Sequence, residues 1–508
     1  MTQTKKVLKY AIISIGFLLI CGFLLVHNSF SHGSENGKDY SENTNHSFVT
    51  NHSFVIYSTF YYNHSKLYSD NSMVLLMNTH KNFDTNSLSI QCYSENQTTQ
   101  ITSNIQIRMG SVSAVDCQWA FFIANCSTVT NPHYFGLTSS DNPKPVEIDF
   151  ETPILDKKYP VIMCYPPMVY EARWQQIIFA TEIYHYFGTD LQIQYINSAM
   201  KEIVDILEVY ESKGWVKNER FAFFDFVDED VETIGLNPML EIQVRNFPVA
   251  STDCLMRYRE SSEFIIVADV DDILFPKHGT FFAEFLHLKH KHPTAVGFMY
   301  HRSYAKIDVA KTFEKFSMKN SLQTFQITKP TFYGKTIHQP KYSETAWVHN
   351  PGLNNDTTIT ILPEEHKMWH VMIEAKKVRK VKSFARFTNE KQADSDFEKY
   401  TIEKDAIEAI EESFVKTFKN FTNIPKNNNA YTEILYNCFK KHEGWDGSLP
   451  CFTPLRCKTP KSVPNFKCKV AQRDYKVRRL ADNIMLYLSK NPYSWKSSDN
   501  GCQLLSHN

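Results

Sequence analysis

The chain has 508 residues, 42% hydrophobic and 22% charged, which gives room for about two or three globular domains and excludes a disordered or fibrous class. Lys+Arg and Asp+Glu both number 55, so the chain lacks the basic excess by which nucleic-acid binders displace counterions from phosphates. Its 16 glycines exclude collagen-like and Gly/Ser-rich low-complexity sequence.

Lys5, Lys6 and Lys9 precede an uncharged run from Tyr10 to Val26. Positive residues stay on the cytoplasmic side, so 1–9 reads as a cytoplasmic tail and 10–26 as a transmembrane signal anchor, with everything after it lumenal. A cleaved signal peptide is the alternative, although the following HNSFSHGS offers no convincing A-x-A site. Sequons begin at Asn45, Asn51, Asn63, Asn96, Asn125, Asn355 and Asn420, as a lumenal chain allows. Of 11 cysteines only Cys21 lies in the anchor, and the others suit disulfides in an oxidising compartment. Residues 27–52 are polar, with NHSFV at Asn45 and again at Asn51, and read as a solvated stem.

Residues 53–155 carry short apolar runs (FVIYSTFYY, MVLLM, AFFIA) rich in β-branched and aromatic residues, which predict a β-rich subdomain. The pattern changes in 156–388. Tyr159–Tyr165 is a continuous apolar strand stopped by Pro166 and Pro167. Helical spacing follows over Glu171–Phe187, then a strand in LQIQYINS and a helix over Ala199–Ser212. Alternating strands and helices predict an α/β fold with a mostly parallel sheet, whose ligands bind beyond the carboxyl ends of the strands. Residues 389–508 are expected to be helical and Cys-rich. An amphipathic helix is predicted near Phe397–Phe418, followed by a tail in which Cys438, Cys451, Cys457, Cys468 and Cys502 lack zinc-ribbon spacing and read as disulfide-bonded, with connectivity open.

Within Phe264–Pro276 (FIIVADVDDILFP), an apolar strand delivers Asp269, Asp271 and Asp272 at its carboxyl end. Strand alternation puts Asp269 and Asp271 on one face and Asp272 on the other. Paired carboxylates are costly unless a cation neutralises them, and hard Mn²⁺ or Mg²⁺ suits carboxylate oxygen. Such an ion can bridge the two phosphates of a nucleotide diphosphate as that group leaves. The plain alternative is an acidic surface turn after a buried strand.

Several ordered blocks together resemble glycosyltransferase family 92, a family expanded in nematodes. They are the CYPP strand end at Cys164–Pro167, RWQQIIFATEIYHYFGTDLQIQYINS at Arg173–Ser198, VDILEVYESKGWV at Val204–Val216, DCLMRYRESSEFIIVADVDDILFP at Asp253–Pro276, KTIHQPKYSETAWVHNPG at Lys335–Gly352 and WHV at Trp369–Val371. The resemblance implies a GT-A-like nucleotide-sugar domain, a UDP-sugar donor (UDP-galactose), Mn²⁺ or Mg²⁺, inversion to a β linkage on a glycan acceptor, and a type II Golgi membrane protein. It implies that Asp269 and Asp271 hold the metal, with Asp272 shaping the loop and a late histidine, His349 or His370, as a further ligand. Cys164 and Tyr165 fall where uridine stacks in such folds, a disulfide or a packing role being the alternative for Cys164. The family's His-Tyr-Arg reads His370-Val371-Met372 here; the basic Lys376–Lys380 reads first as a solvated strand or loop face, replacement cations for that motif being the alternative. An inverting transfer needs a carboxylate base, for which Glu344, Asp356 and Glu364 are candidates.

Two rivals belong to other classes. A haloacid-dehalogenase-like phosphatase also places D-x-D after an apolar strand, but its downstream Gly-Asp-x-x-x-Asp is absent. A non-catalytic glycan-binding or decayed family member is compatible with the altered His370-Val371-Met372.

Overall fold

The apolar runs of the N-terminal part lie in strands His52–Tyr62, Ser72–His80 and Trp119–Ser127, which pair antiparallel. In the computed structural model the described residues are 52–84, 89–111, 117–242, 244–347, 349–353, 357–375, 397–443, 451, 453–490 and 493–505. The expected tail, anchor and stem up to residue 51, the sequons at Asn45, Asn51 and Asn355, Asp356 and Lys376–Lys380 lie outside them. Among the described residues no helix is long and apolar enough to cross a membrane.

The N-terminal sheet is completed from the other end of the chain. A hairpin of Tyr475–Ala481 and Ile484–Ser489 joins it, the second strand running parallel to His52–Tyr62. Leu480, Ile484 and Leu486 bury among Phe54, Ile56 and Leu75, so burial drives the docking. The C-terminal region expected to be helical and Cys-rich therefore also supplies strands. A four-stranded sheet containing Ile90–Glu95 and Tyr134–Ser139 shares this core, and Cys92–Cys126 links the two sheets.

The large sheet has the order Val216–Arg220, Leu191–Ile196, Tyr159–Met168, Ser262–Val267, Gln326–His338, Gly297–Val309, Met368–Ala375, Asp272–Ile273. Its first four strands are parallel, with helices Trp174–Tyr186 and Lys201–Ser212 as the crossovers between neighbours. From Ser262–Val267 onward, Gln326–His338 pairs antiparallel on both sides. The sheet is thus mixed rather than mostly parallel. The reason is local: Gly297–Val309 and Gln326–His338 return on each other with only a 3₁₀ turn, Phe313–Lys315, and a short helix, Met318–Gln323, between them. The first strand runs through Pro166 and Pro167 to Met168, its pairing with Leu191–Ile196 shifting register there, as a proline without an N–H requires.

Helix Trp174–Tyr186 is buried from Trp174 to Tyr184, covered by the sheet on one side and by helix Lys404–Phe418 on the other. Trp174, Phe313, Phe316 and Phe414 meet there edge to face or tilted. All ten cysteines after Cys21 are paired: Cys92–Cys126, Cys117–Cys451, Cys164–Cys254, Cys438–Cys457 and Cys468–Cys502.

Candidate active site

The run FIIV ends strand Ser262–Val267, and the chain turns at Val270–Asp271 before Asp272–Ile273 pairs with Met368–Ala375. The Asp272 N–H donates to the Asp269 carbonyl at 3.0 Å, and the Val371 N–H donates to the Asp271 carbonyl at 2.7 Å. Strand alternation, which set Asp272 apart from the other two, does not apply within this turn. Asp271, Asp272 and His370 bring ligand atoms within 4.8 Å of one another. His370 Nδ1 lies 2.9 Å from Asp272 Oδ1 and 3.6 Å from Asp271 Oδ1.

Each acid has a cation. Asp272 is fully buried, and Arg302 Nη1 donates to both its oxygens at 3.0 and 3.1 Å. Lys335, itself buried in strand Gln326–His338, reaches Asp269 Oδ2 at 2.6 Å and Asp272 Oδ2 at 3.6 Å. Arg173 caps the cluster from the start of helix Trp174–Tyr186, donating to Asp271 Oδ2 at 3.0 Å and gripping Glu171 with two nitrogens at 2.8 and 2.9 Å.

These contacts set the protonation states. Burial raises the Asp272 carboxyl, but Arg302, Lys335 and His370 overcome it and hold the group well below the ordinary carboxylate range. Asp269 is likewise lowered, burial being outweighed chiefly by Lys335. Burial also opposes ionisation of Glu171, which Arg173 reverses to about 2. At His370 burial pushes the imidazole down, and the facing Asp271 and Asp272 push it up to a net rise. Asp269, Asp272 and Glu171 are therefore held ionised, and a carboxylate must be ionised to bind a cation. Two carboxylates and an imidazole are a donor set that Mn²⁺ or Mg²⁺ accepts, although Asp272 already accepts from Arg302.

The predicted ligands divide. Asp271 and His370 come together, Asp272 joins them, and Asp269 turns to Lys335. His349 stands beside the cluster rather than in it: its Nδ1 is 2.7 Å from the Gly334 carbonyl, and its pKa falls to about 4 through burial and the charge of Lys335. Cys164 and Tyr165 are not nucleotide-facing. Cys164 is fully buried in a bond to Cys254, and Tyr165 is buried with its hydroxyl donating to Gln192 Oε1 at 3.0 Å. Strand alternation and burial on both faces of a parallel sheet leave neither open at the strand end.

Of the base candidates, Asp356 lies outside the described residues, and neither Glu344 nor Glu364 is placed in the cluster. Glu344 pairs with Arg108 of the N-terminal sheet, and Glu364 is exposed without a partner that places it at the acids. Among the sequons, Asn420 is exposed, and Asn63, Asn96 and Asn125 are half-buried. Sequence reasoning missed Arg173, Arg302 and Lys335. For Arg173 a signal existed: it lies in the short connection between the first strand and the helix that follows, where ligands are expected. Arg302 and Lys335 sit on strands whose polar residues read as solvent-facing, and nothing local distinguishes them.

A model of glycosyltransferase family 92 matches residues 159–418. Two Caenorhabditis elegans relatives, each named a glycosyltransferase family 92 protein, are similar along most of their length. One is 27% identical over 88% of this chain and 90% of the relative, the other 24% identical over 86% and 88%. The crystal structure of S. aureus TarS 1–349 in complex with UDP-GlcNAc is 12% identical and covers 55% of this chain and 76% of that chain. Its TM-score of 0.22 is too low to define a shared fold.

Proposed function

The chain belongs to glycosyltransferase family 92, and on that premise we propose that it is a metal-dependent, inverting transferase of GT-A-like architecture. It moves galactose from UDP-galactose onto a glycan in the Golgi lumen, held to the membrane by the anchor at 10–26. The observation that carries this reading is the meeting of Asp271, Asp272 and His370 at the carboxyl end of a central strand. Asp271 and His370 would hold Mn²⁺, which neutralises a diphosphate leaving group. Asp272, fixed by Arg302, orients His370 through Nδ1, and Arg173 holds the second oxygen of Asp271 in place.

The decayed, glycan-binding reading has one observation in its favour: Val371 is buried and Met372 is apolar, so neither supplies a cation after His370. Calorimetry of the full-length protein with UDP, with and without Mn²⁺, decides between the two. The transferase reading expects Mn²⁺-dependent binding that Asp271→Asn weakens by about a hundredfold or more. A folded wild type that binds no UDP in Mn²⁺ sinks it and leaves the binding module. Donor competition between UDP-galactose and UDP-N-acetylglucosamine then tests the sugar.

A further inference from the structure

Three cations of the site are committed to its acids. Arg173 spans Glu171 and Asp271, Lys335 spans Asp269 and Asp272, and Arg302 takes both oxygens of Asp272. A fourth, Arg245, makes no ion pair among the described residues. Its Nη1 donates to the Pro167 carbonyl at a long 3.3 Å, and its buried Nε has no partner. Leaving a buried guanidinium N–H without an acceptor is unfavourable, and native structures rarely tolerate it without a reason.

Arg245 is nevertheless built into this position. Pro167 lies at the carboxyl end of strand Tyr159–Met168, which pairs with the strand leading to Asp269. Two residues on, the Phe247 ring lies 5.9 Å from Lys335 Nζ. The charge of Arg245 helps to lower both Glu171 and Asp269. Its backbone is left-handed, with φ 58° and ψ 18°, and Asn246 follows at φ 55° and ψ 38°. Consecutive non-glycine residues hold that conformation only where their surroundings over-determine it. Here Asn246 Nδ2 donates to Asn78 Oδ1 at 2.9 Å, and Ile242 bridges to Trp119, both in the N-terminal sheet. On the other side, helix Phe247–Tyr258 is tied by Cys254 to Cys164.

We propose that Arg245 is an anion-binding residue of this site, its guanidinium taking a phosphate oxygen of the donor's diphosphate. The inference rests on the nucleotide-sugar reading above and adds the residue that meets the phosphate. A guanidinium offers a planar fork of N–H donors matched to phosphate oxygens. Arg173, Arg302 and Lys335 each already donate to a carboxylate, whereas Arg245 lacks an anionic partner among the described residues. The strained turn and the N-terminal sheet that anchors it then have a function: they hold a cation toward the site in the absence of its ligand.

The test compares UDP with uridine, which lacks the phosphates, on the full-length protein in Mn²⁺. Arg245→Gln is expected to weaken UDP about tenfold or more while leaving uridine and the melting temperature unchanged. Arg245→Gly suits the left-handed backbone and removes the same charge, so it should give the same loss in a chain at least as stable. Variants that bind UDP as the wild type does overturn the proposal. So do variants that lose UDP and uridine in equal measure, because that marks a structural role. A wild type that binds no UDP overturns the nucleotide-sugar reading as well, and this separates the two failures.

Discussion

In the parallel half of the large sheet, strand Leu191–Ile196 is buried along its whole length, whereas in the mixed half Gly297–Val309 alternates buried and half-buried residues from Arg302 onward. The two halves bring different chemistry to the site. Glu171, Asp269 and Asp271 stand at the ends or in the connections of the parallel strands. Arg302, Lys335 and His370 come from the strands of the mixed half, where Gly297–Val309 runs antiparallel to Gln326–His338 and parallel to Met368–Ala375. Arg173 from a connection of the first half and Asp272 from a strand of the second cross this divide, so the site is the seam at which charged groups of the two halves interlock. A strand buried on both faces can display function only at its tip, while a strand with one open face displays it all along.

Cutting the seam should have the largest effect on stability. Lys335→Met removes the buried ammonium shared by Asp269 and Asp272, leaving Asp269 without its ion-pair partner while Asp272 keeps Arg302. Breaking a buried pair from one side costs about 3–5 kcal/mol, so urea denaturation should show a loss of that order. A loss below about 1 kcal/mol would mean that solvent, rather than Lys335, balances these acids.

The seam also explains what the sequence could and could not reveal. In the parallel half, signals are contiguous: FIIVADVDD is at once a strand, its end and its acids, and the helical spacing after Glu171 marks the crossover helix. The antiparallel partners are set by long-range pairing, Tyr300 opposite Lys335 and Asp272 opposite His370, for which no local pattern exists. The same holds for the hairpin Tyr475–Ser489, whose place beside His52–Tyr62 follows from shared burial rather than from neighbouring sequence. Strand alternation misplaces Asp272 because the strand ends at Val267 and the acids lie beyond it, around a turn. Arg245 escaped because a left-handed arginine has no signature of its own.

A second prediction sharpens the contrast within the parallel half, where burial rather than chemistry governs the strand interior. Cys164→Ser with Cys254→Ser removes a fully buried bond between the first strand and the helix after Arg245. The expected loss is about 2–4 kcal/mol in denaturation, with UDP affinity unchanged when measured well below the melting temperature. If UDP binding falls while stability holds, Cys164 faces the nucleotide after all.

The finest comparison is between two glutamates on opposite ends of one segment, Glu171 and Glu182. Both are buried, but Arg173 grips the first and holds it ionised, at about 2. Glu182 has only hydroxyl partners in contact, Tyr210 at 2.9 Å and Ser413 at 2.7 Å, and burial pushes it up to about 7 against their donation and the more distant charge of Lys213. Its folded value lies above the 4.5 of the free group, so the folded chain binds this proton more tightly than the unfolded one. The stability this gives is fully present below 4.5 and is lost as pH rises through about 7. Between about pH 5 and about pH 8 the wild type should lose about 2 kcal/mol more than Glu182→Gln, which keeps the shape and cannot ionise. Parallel stability curves for the two proteins would show that Glu182 is solvated, and that burial without a cation does not by itself decide the charge of an acid in this half of the sheet.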